Sequence, residues 1–242
     1  MAHETTGTGE SLRRTPLYDR HVAAGARIVP FAGYEMPVQY SRGIVAEHGW
    51  TRESAGLFDV SHMGQAALVG PDHETTARAL ETLVPGDIVG LAPSRMRYTL
   101  LMNDEGGIVD DLMVLRSADP ERDGTLYLVV NAARKAIDFP LIEGRLPDGV
   151  SLHLAGHRAL VALQGPLAVE VASALNPGMA ALSFMSAAHL ELAGIGEATI
   201  MRSGYTGEDG VEISVPEEKV GALWDRLAAD ERVMPVGLGA RD

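Results

Sequence analysis

Residues 96–115, MRYTLLMNDEGGIVDDLMVL, hold two apolar runs separated by a short polar turn. The runs Met96 to Asn103 and Ile108 to Leu115 are rich in strand-forming residues, and Asp104-Glu105-Gly106-Gly107 supplies the residue types of a tight hairpin turn. The stretch therefore predicts an antiparallel hairpin. Thr125 to Val130, a third apolar run of strand length, predicts the next strand of the same sheet.

Helices are predicted both before and after this segment of the sequence. Thr15 is expected to cap the first of them and Gly25 to stop it in the left-handed conformation. The predicted helices are Pro16 to Ala24, Ile44 to Ala55, Pro71 to Leu83, a helix–turn–helix over Val171 to Leu190, and Pro216 to Ala229. Helices and hairpins mix without regular strand–helix alternation, which predicts an α+β fold rather than a doubly wound sheet.

Composition excludes several classes of function. The 242 residues carry 20 Lys+Arg against 33 Asp+Glu, a formal charge of −13, which disfavours nucleic acid as a partner. The absence of cysteine excludes disulfides, thiolate zinc sites and a cysteine nucleophile. The histidines lack the spacing of a metal-binding pair, so we predict no metal site.

The N-terminal segment and the longest uncharged run bear on location. Met1 to Ser11 is polar and lacks the order of a secretion signal, so we expect a frayed tail and a cytoplasmic protein. The run Val171 to Leu190 is long enough to span a bilayer, but it is interrupted by Asn176-Pro177-Gly178. We therefore predict no membrane segment.

Asp110 and Asp111 form the first candidate site. Strand alternation sends neighbouring side chains to opposite faces, so at most one of the two carboxylates points inward. A carboxylate on an otherwise apolar strand needs donors, a cation or a ligand. The alternative is a pair of acids at a sheet edge that discourages aggregation, and this feature alone leaves both open.

The loop Gly204 to Gly210, with three glycines, two acids and Tyr205, forms the second candidate. Its glycines allow a planar ligand to approach the backbone, and a carboxylate there can accept two hydrogen bonds from the amidine-like edge of a pterin. Met63, Tyr98 and Tyr127 are candidates for the flat apolar walls of such a pocket. An ordinary turn flanked by core residues is the alternative.

Six motifs in register carry a resemblance to a known family. They are VPFAGYEMPVQY (29–40), AGLFDVSHM (55–63), GGIVDD (106–111), LQGP (163–166), RSGYTGEDG (202–210) and GLGARD (237–242). Together they closely resemble the T protein of the glycine cleavage system, the aminomethyltransferase family. The resemblance runs in order from about Leu17 to the last residue.

The resemblance implies a tetrahydrofolate-dependent transferase. The family moves the methylene carbon of an aminomethyl group, carried on the lipoyl arm of H protein, to tetrahydrofolate. The products are 5,10-methylenetetrahydrofolate, ammonia and dihydrolipoyl H protein. The implied partners are lipoylated H protein and, indirectly, the P and L proteins of the same system.

The resemblance also implies a folate-binding cloverleaf whose first two domains interleave in sequence. Residues 1–58 and 150–230 are predicted to form the first domain, and residues 59–149 and 231–242 an incomplete second domain. The family continues beyond this point into a third, barrel-like domain, so we expect a C-terminally truncated chain. Such a fragment is expected to bind folate weakly or not at all.

Residue by residue, the resemblance assigns roles in one site. Asp111 matches the catalytic aspartate, Glu208 the acceptor for the pterin edge, and Arg241 a second polar contact with the ligand. The remaining folate-binding positions are Met63, Tyr98, Tyr127, Val129, Asn131 and Tyr205. Asn131 could also cap a helix that begins at Ala132.

Two other functions remain open. One is a non-catalytic folate-binding relative that supports iron–sulfur protein maturation, although its cysteine motif is missing here. The other is the folate-dependent demethylating domain of a larger amine oxidase, which usually follows a flavin domain.

Overall fold

A computed structural model describes residues 11–241 of the chain. Within this range the chain forms thirteen strands and six α-helices. The strands are β1 (Arg27–Phe31), β2 (Tyr34–Gln39), β3 (Ala55–Asp59), β4 (Gly64–Val69), β5 (Met96–Met102), β6 (Ile108–Arg116), β7 (Thr125–Val130), β8 (Ser151–Leu154), β9 (Arg158–Gln164), β10 (Ala187–Leu192), β11 (Gly196–Met201), β12 (Gly210–Pro216) and β13 (Val233–Pro235). The helices are α1 (Tyr18–Ala23), α2 (Ile44–Glu53), α3 (His73–Glu81), α4 (Lys135–Glu143), α5 (Ala168–Ser173) and α6 (Glu217–Ala228). The predicted α+β class is confirmed.

A six-stranded sheet has the order β10-β11-β12-β9-β3-β13. All its pairs are antiparallel except β13 with β3, which is parallel. The continuous apolar runs of β3 and β9 are buried on both faces, as expected for central strands. One face packs on α5 and α6 through a core that includes Leu163, Val171 and Leu223.

A five-stranded antiparallel sheet has the order β5-β6-β7-β4-β8. Its first two strands are the predicted hairpin, and β7 matches the predicted third strand. A bulge interrupts the hairpin because Leu101 faces Asp110 while Met102 faces Ile108, which leaves Val109 unpaired. The inner face packs on α3 and α4 through residues such as Leu80, Leu112 and Ile142.

The two sheets meet through a third apolar cluster. It joins Phe58 and Leu160 of the six-stranded sheet to Leu115 of the five-stranded sheet, with Met63, Met113, Tyr127 and Val129 packed against it. The face of the five-stranded sheet that is turned away from α3 and α4 is therefore partly covered by the other sheet. The rest of that face carries the candidate site.

Sheet membership cuts across the predicted domain boundaries at two short strands. The predicted first domain contains most of the six-stranded sheet, and the predicted second domain contains most of the five-stranded sheet. The boundaries place β8 in the first domain and β13 in the second, but β8 pairs in the five-stranded sheet and β13 in the six-stranded sheet. Sheet membership alone does not define a domain, so the boundaries stay predictions.

Two predictions of local structure are wrong. Thr15 does not cap α1, which begins at Tyr18, because its hydroxyl donates to Asp59 instead, at 2.6 Å. The run Val171 to Leu190 is not a helix–turn–helix, since its last residues form part of β10, which pairs with β11. Pairing with a neighbouring strand satisfies the backbone of that segment and outweighs its local preference.

Asp59, at the end of β3, lies in a buried polar network. Its Oδ2 accepts from the Thr15 hydroxyl at 2.6 Å and lies 2.9 Å from His21 Nε2, and its Oδ1 accepts from the Ser61 backbone at 2.9 Å. The Tyr40 hydroxyl lies 2.8 Å from the other ring nitrogen of His21. Burial opposes ionisation, but the hydrogen bond and charge of His21 hold the pKa of Asp59 below its usual value. The network ties α1 to the six-stranded sheet.

The predicted frayed tail, Met1 to Ser11, lies outside the described residues except for Ser11. Between residues 11 and 241, no helix is long and apolar enough to cross a membrane.

Candidate functional site

Six of the predicted site residues lie on one face of the five-stranded sheet. Strand register places Tyr98 opposite Met113, and Met113 opposite Val129. Tyr127 follows two positions away on the same side of β7. Extending the register by one residue past β7 brings Asn131 beside Asp111, and one residue before β4 brings Met63 beside Asn131. The sheet geometry therefore gathers side chains that are spread over almost seventy positions of sequence.

Asp111 is held by the side chain of Asn131. The amide nitrogen Nδ2 of Asn131 lies 2.8 Å from Oδ1 of Asp111 and 3.1 Å from Oδ1 of Asp110. Asn131 does not cap α4, which begins three turn residues later at Lys135 with Arg134 at its N-cap. The chain uses this asparagine to orient the two acids instead.

The two acids are not at a sheet edge. Strand β6 lies between β5 and β7, and its register with β7 begins at Leu112, directly after the two acids. Because β6 is not an edge strand, the interpretation of the acids as a guard against edge-to-edge aggregation is wrong. By alternation, Asp110 shares the inner face with Leu112, and Asp111 shares the outer face with Met113. Both side chains are half-buried. The two acids thus take opposite faces, as alternation predicts, and Asp111 is the one on the face of the candidate site.

Two exposed tyrosines stand near Asp111. Tyr98 is 56% exposed and Tyr205, from the loop after β11, is 79% exposed. Desolvation, together with the charge of the Asp111 carboxylate, raises the pKa of Tyr98, and Tyr205 adds to this effect. Aromatic rings with this exposure offer flat surfaces on which a planar ligand can stack. The effect of Tyr205 on Tyr98 indicates that the loop lies near the outer face of the sheet.

The Gly204 to Gly210 loop is fixed from beneath by Gln164, a residue of the LQGP motif to which the sequence assigned no role. Gln164 is fully buried, and its Nε2 donates to the carbonyl of Ser203 at 2.8 Å. Its Oε1 accepts from the Thr206 hydroxyl at 2.8 Å. A Cβ at Gly204 would lie 2.0 Å from the Gln164 side chain, so only glycine allows this close approach.

Replacing Gln164 with leucine is expected to loosen this loop. The variant leaves the Ser203 carbonyl without its buried donor, so the free energy of unfolding should fall by about 1–3 kcal/mol. Denaturant unfolding measures that loss, and hydrogen exchange should become faster at residues 203–210. The half-buried Gln39 of β2 gives a matched control, Gln39→Leu. Unchanged exchange in the loop would contradict the role given to Gln164.

Glu208 is paired with a residue that the sequence did not point to. Nη1 of Arg52, on α2, donates to Oε1 of Glu208 at 2.9 Å. The Arg52 side chain is 43% exposed, so this ion pair contributes little to stability. An ionised carboxylate accepts up to about four hydrogen bonds, so Glu208 keeps acceptor capacity for a ligand.

Arg241 is largely buried beside Glu212. Its Nη2 lies 3.3 Å from Oε1 of Glu212, whose other oxygen accepts from the Ser203 hydroxyl at 3.0 Å. Nε of Arg241 is buried without a hydrogen-bond partner among the described residues. Burial is the main cause that lowers the pKa of His62 to about 4, and the positive charge of Arg241 adds to the effect. The His62 ring is therefore neutral at pH 7.

Tyr127 and Val129 line a small cavity of about 60 Å³ between the sheets. The Tyr127 hydroxyl accepts from Arg122 at 2.8 Å. Ligand pockets usually measure about 300–1,000 Å³, so a folate-sized molecule does not fit this cavity. The surface that such a molecule can reach is the outer one, near Asp111, Tyr98 and Tyr205.

A family model described as the GCVT N-terminal domain matches residues 17–242. The mitochondrial aminomethyltransferase of Gallus gallus is 43% identical over 240 residues, covering 96% of this chain and 59% of that protein. The crystal structure of the glycine cleavage system aminomethyltransferase T from Bartonella henselae aligns with a TM-score of 0.86 and 40% identity. It covers 96% of this chain and 61% of that one. This chain thus spans about three fifths of the length of these relatives.

A more distant likeness concerns the fold alone. Heterotetrameric sarcosine oxidase from Corynebacterium sp. U-96 aligns with a TM-score of 0.53 at 18% identity. The alignment covers 89% of this chain and 95% of that one.

Proposed function

This chain belongs to the GCVT N-terminal domain family, and we propose on that premise that it acts as an aminomethyltransferase of the glycine cleavage system. The reaction takes the methylene carbon of an aminomethyl group from the lipoyl arm of H protein. Tetrahydrofolate accepts it as 5,10-methylenetetrahydrofolate, while ammonia and dihydrolipoyl H protein leave. The proposal is supported most by the position of Asp111, held by Asn131 on the open face of the sheet.

Asp111 can serve this reaction through its charge and its basicity. Loss of ammonia from the aminomethyl carbon builds positive charge on the methylene, which an ionised carboxylate at this point stabilises. The same carboxylate can accept the proton that the attacking folate nitrogen gives up. Asn131 keeps the carboxylate facing the reacting atoms, since its amide nitrogen lies 2.8 Å from Oδ1.

The folate ring would lie between the sheet and the Gly204 to Gly210 loop. Glu208 accepts hydrogen bonds from the pterin edge with the acceptor capacity that Arg52 leaves, and the exposed rings of Tyr98 and Tyr205 stack on the ligand. Arg241, whose Nε has no hydrogen-bond partner among residues 11–241, supplies a second polar contact. In this arrangement Met63, Tyr127 and Val129 support the floor of the site from the interior.

H protein is the proposed direct partner. The P and L proteins are indirect partners, which act on the same lipoyl arm before and after the step proposed for this chain. The arm supplies the sulfur chemistry of the reaction. The chain's own part is to present Asp111 on an open face that an arm from outside can reach. We propose a cytoplasmic location, although the relative from Gallus gallus is named as mitochondrial.

Glu208→Gln tests the folate assignment. Loss of one charged hydrogen bond, worth about 1.5–3 kcal/mol, should raise KM for tetrahydrofolate about 10- to 100-fold and change kcat much less. The assay uses the natural full-length protein with aminomethylated H protein and measures released ammonia. Glu218→Gln, an exposed acid on α6, is the matched control. Ammonia release that does not depend on tetrahydrofolate would contradict the proposed function.

A further inference from the structure

Buried polar atoms without partners gather behind the Asp111 site. Of nine such side-chain atoms within residues 11–241, four lie at the junction of β6 and α4. They are Oδ2 of Asp110, Oδ1 and Oδ2 of Asp138, and Nε of Arg134. A buried carboxylate oxygen without a donor is costly, so this cluster needs an explanation.

A proton shared between the two acids removes most of that cost. Asp138, in the first turn of α4, is fully buried, and it lies close enough to Asp110 of β6 for the two carboxyls to affect each other's ionisation. Two ionised carboxylates in contact repel each other, and neither can donate a hydrogen bond. A single proton turns one of them into an O–H donor and leaves the other as its acceptor.

Asp138 is the better place for that proton. Three other charged groups act on its carboxyl: Asp110 on the same face of β6, Arg134 in the turn before α4, and, more weakly, Asp111 on the opposite face of β6. Burial and the neighbouring Asp110 raise the pKa of Asp138 to about 7, against a smaller opposite effect of Arg134. The Arg134 guanidinium also donates to the carbonyl of Val109 at 2.9 Å, the residue at the bulge of the hairpin.

The acid pair is connected to the site through one amide group. Nδ2 of Asn131 lies 3.1 Å from Oδ1 of Asp110 and 2.8 Å from Oδ1 of Asp111. An amide nitrogen has two hydrogens, and the two carboxylates accept one each. The orientation of Asn131, and with it that of Asp111, therefore depends on where the Asp110 carboxylate sits.

We propose that Asp138 is a positioning residue for Asp111: in its protonated form it donates to Oδ2 of Asp110, and Asp110 in turn fixes Asn131 between the two acids. The inference rests on the proposed function only in assigning Asp111 the catalytic step. The shared proton itself is a property of the folded chain. Deprotonation of Asp138 puts two negative charges in contact and disturbs the hydrogen bonds that hold Asp111.

The shared proton can be measured without any turnover. Carbon-13 NMR of the folded chain, labelled at aspartate carboxyl carbons, follows each acid with pH. Asp138→Asn identifies the Asp138 signal by its absence. We expect that signal to titrate near pH 7, far above the ordinary value of 3.8. Titration of Asp138 in its ordinary range would overturn the proposal.

Two variants separate positioning from simple packing. Asp138→Asn places a permanent donor opposite Asp110, so ammonia release should stay close to that of the unaltered protein. In the unaltered protein, deprotonation of Asp138 should lower the rate as the pH rises above about 7. The Asp138→Asn variant should not show this decline. Asp138→Ala leaves Asp110 without a donor and should lower kcat about 10- to 100-fold, since misplaced catalytic groups have effects of this size. Exposed Asp148 gives the matched control, Asp148→Asn.

The outcomes distinguish this inference from the proposed function. If Asp138 titrates near pH 7 but the protein releases no ammonia, the shared proton is supported and the aminomethyltransferase role is overturned. Equal losses of rate in Asp138→Asn and Asp138→Ala would overturn the positioning role. If Asp138→Ala does not fold, the titration of the unaltered chain and the pH profile of Asp138→Asn still decide the question.

Discussion

Ammonia release should fall about 100-fold or more when Asp111 is replaced by asparagine. Positioned acid–base groups contribute about 10²- to 10⁴-fold to catalysis, and asparagine can neither take up a proton nor neutralise positive charge on the methylene carbon. The substitution keeps the shape of the side chain and an oxygen that can accept from Asn131 at 2.8 Å. The loss should therefore appear in kcat and leave the free energy of unfolding nearly unchanged.

The assay for this variant uses saturating tetrahydrofolate and aminomethylated H protein, so that weaker binding does not mimic slower chemistry. Glu105→Gln removes an exposed acid from the turn of the same hairpin and serves as the matched control. If Asp111→Asn releases ammonia as fast as this control, Asp111 does not have the proposed role.

Asp59→Ala should produce the largest loss of stability. The fully buried Asp59 faces the fully buried His21, and removing one partner of such a pair costs about 3–5 kcal/mol. That is a large share of the roughly 5–15 kcal/mol that stabilises a typical domain. The variant also leaves the Thr15 hydroxyl and the Ser61 backbone N–H without their acceptor. The midpoint of unfolding in guanidinium chloride measures the loss, with the exposed Asp148→Ala as control.

The pH dependence of this contribution has a definite sign. The pKa of Asp59 is lower in the folded chain than its ordinary value of 3.8. Its contribution to stability is therefore complete above pH 3.8 and disappears as the pH falls through the folded-state pKa. The difference in stability between the unaltered chain and Asp59→Ala should shrink in acid. A difference that grows on acidification would show that the buried aspartate is not ionised.

The hairpin follows from local sequence pattern, whereas the roles of the site residues on it come from the family resemblance. Turn residues at 104–107 fix the hairpin, and alternation then decides that Asp111 and Tyr98 share one face while Asp110 takes the other. Register with β7 adds Val129 and Asn131. Each of these structural predictions uses only residues that are close in sequence or that lie on the adjacent strand.

Contacts between distant segments could not be predicted in this way. Arg52 and Glu208 are 156 positions apart, and the sequence around either one gives no sign of the other. Gln164 resembles any buried strand residue until the loop above it is placed. Asp138 shows only as a polar residue in the first turn of a helix, where acids are common. The role proposed for Asp138 depends on Asp110, which only the folded structure places next to it.

The nested order of the two sheets has a consequence for synthesis on the ribosome. All five strands of one sheet come from a single continuous segment, residues 64–154, whereas the other sheet joins β3 to strands that follow this segment. The pairing of β3 with β13 brings together Ala55 and Val233, which are 178 positions apart in sequence. Long-range pairing of this kind is slow, and domains tend to fold as they emerge. The inner segment can thus complete its sheet first, while β3 has no partner strand until β9, which ends at Gln164, has been translated. The second partner of β3, β13, follows about seventy residues later.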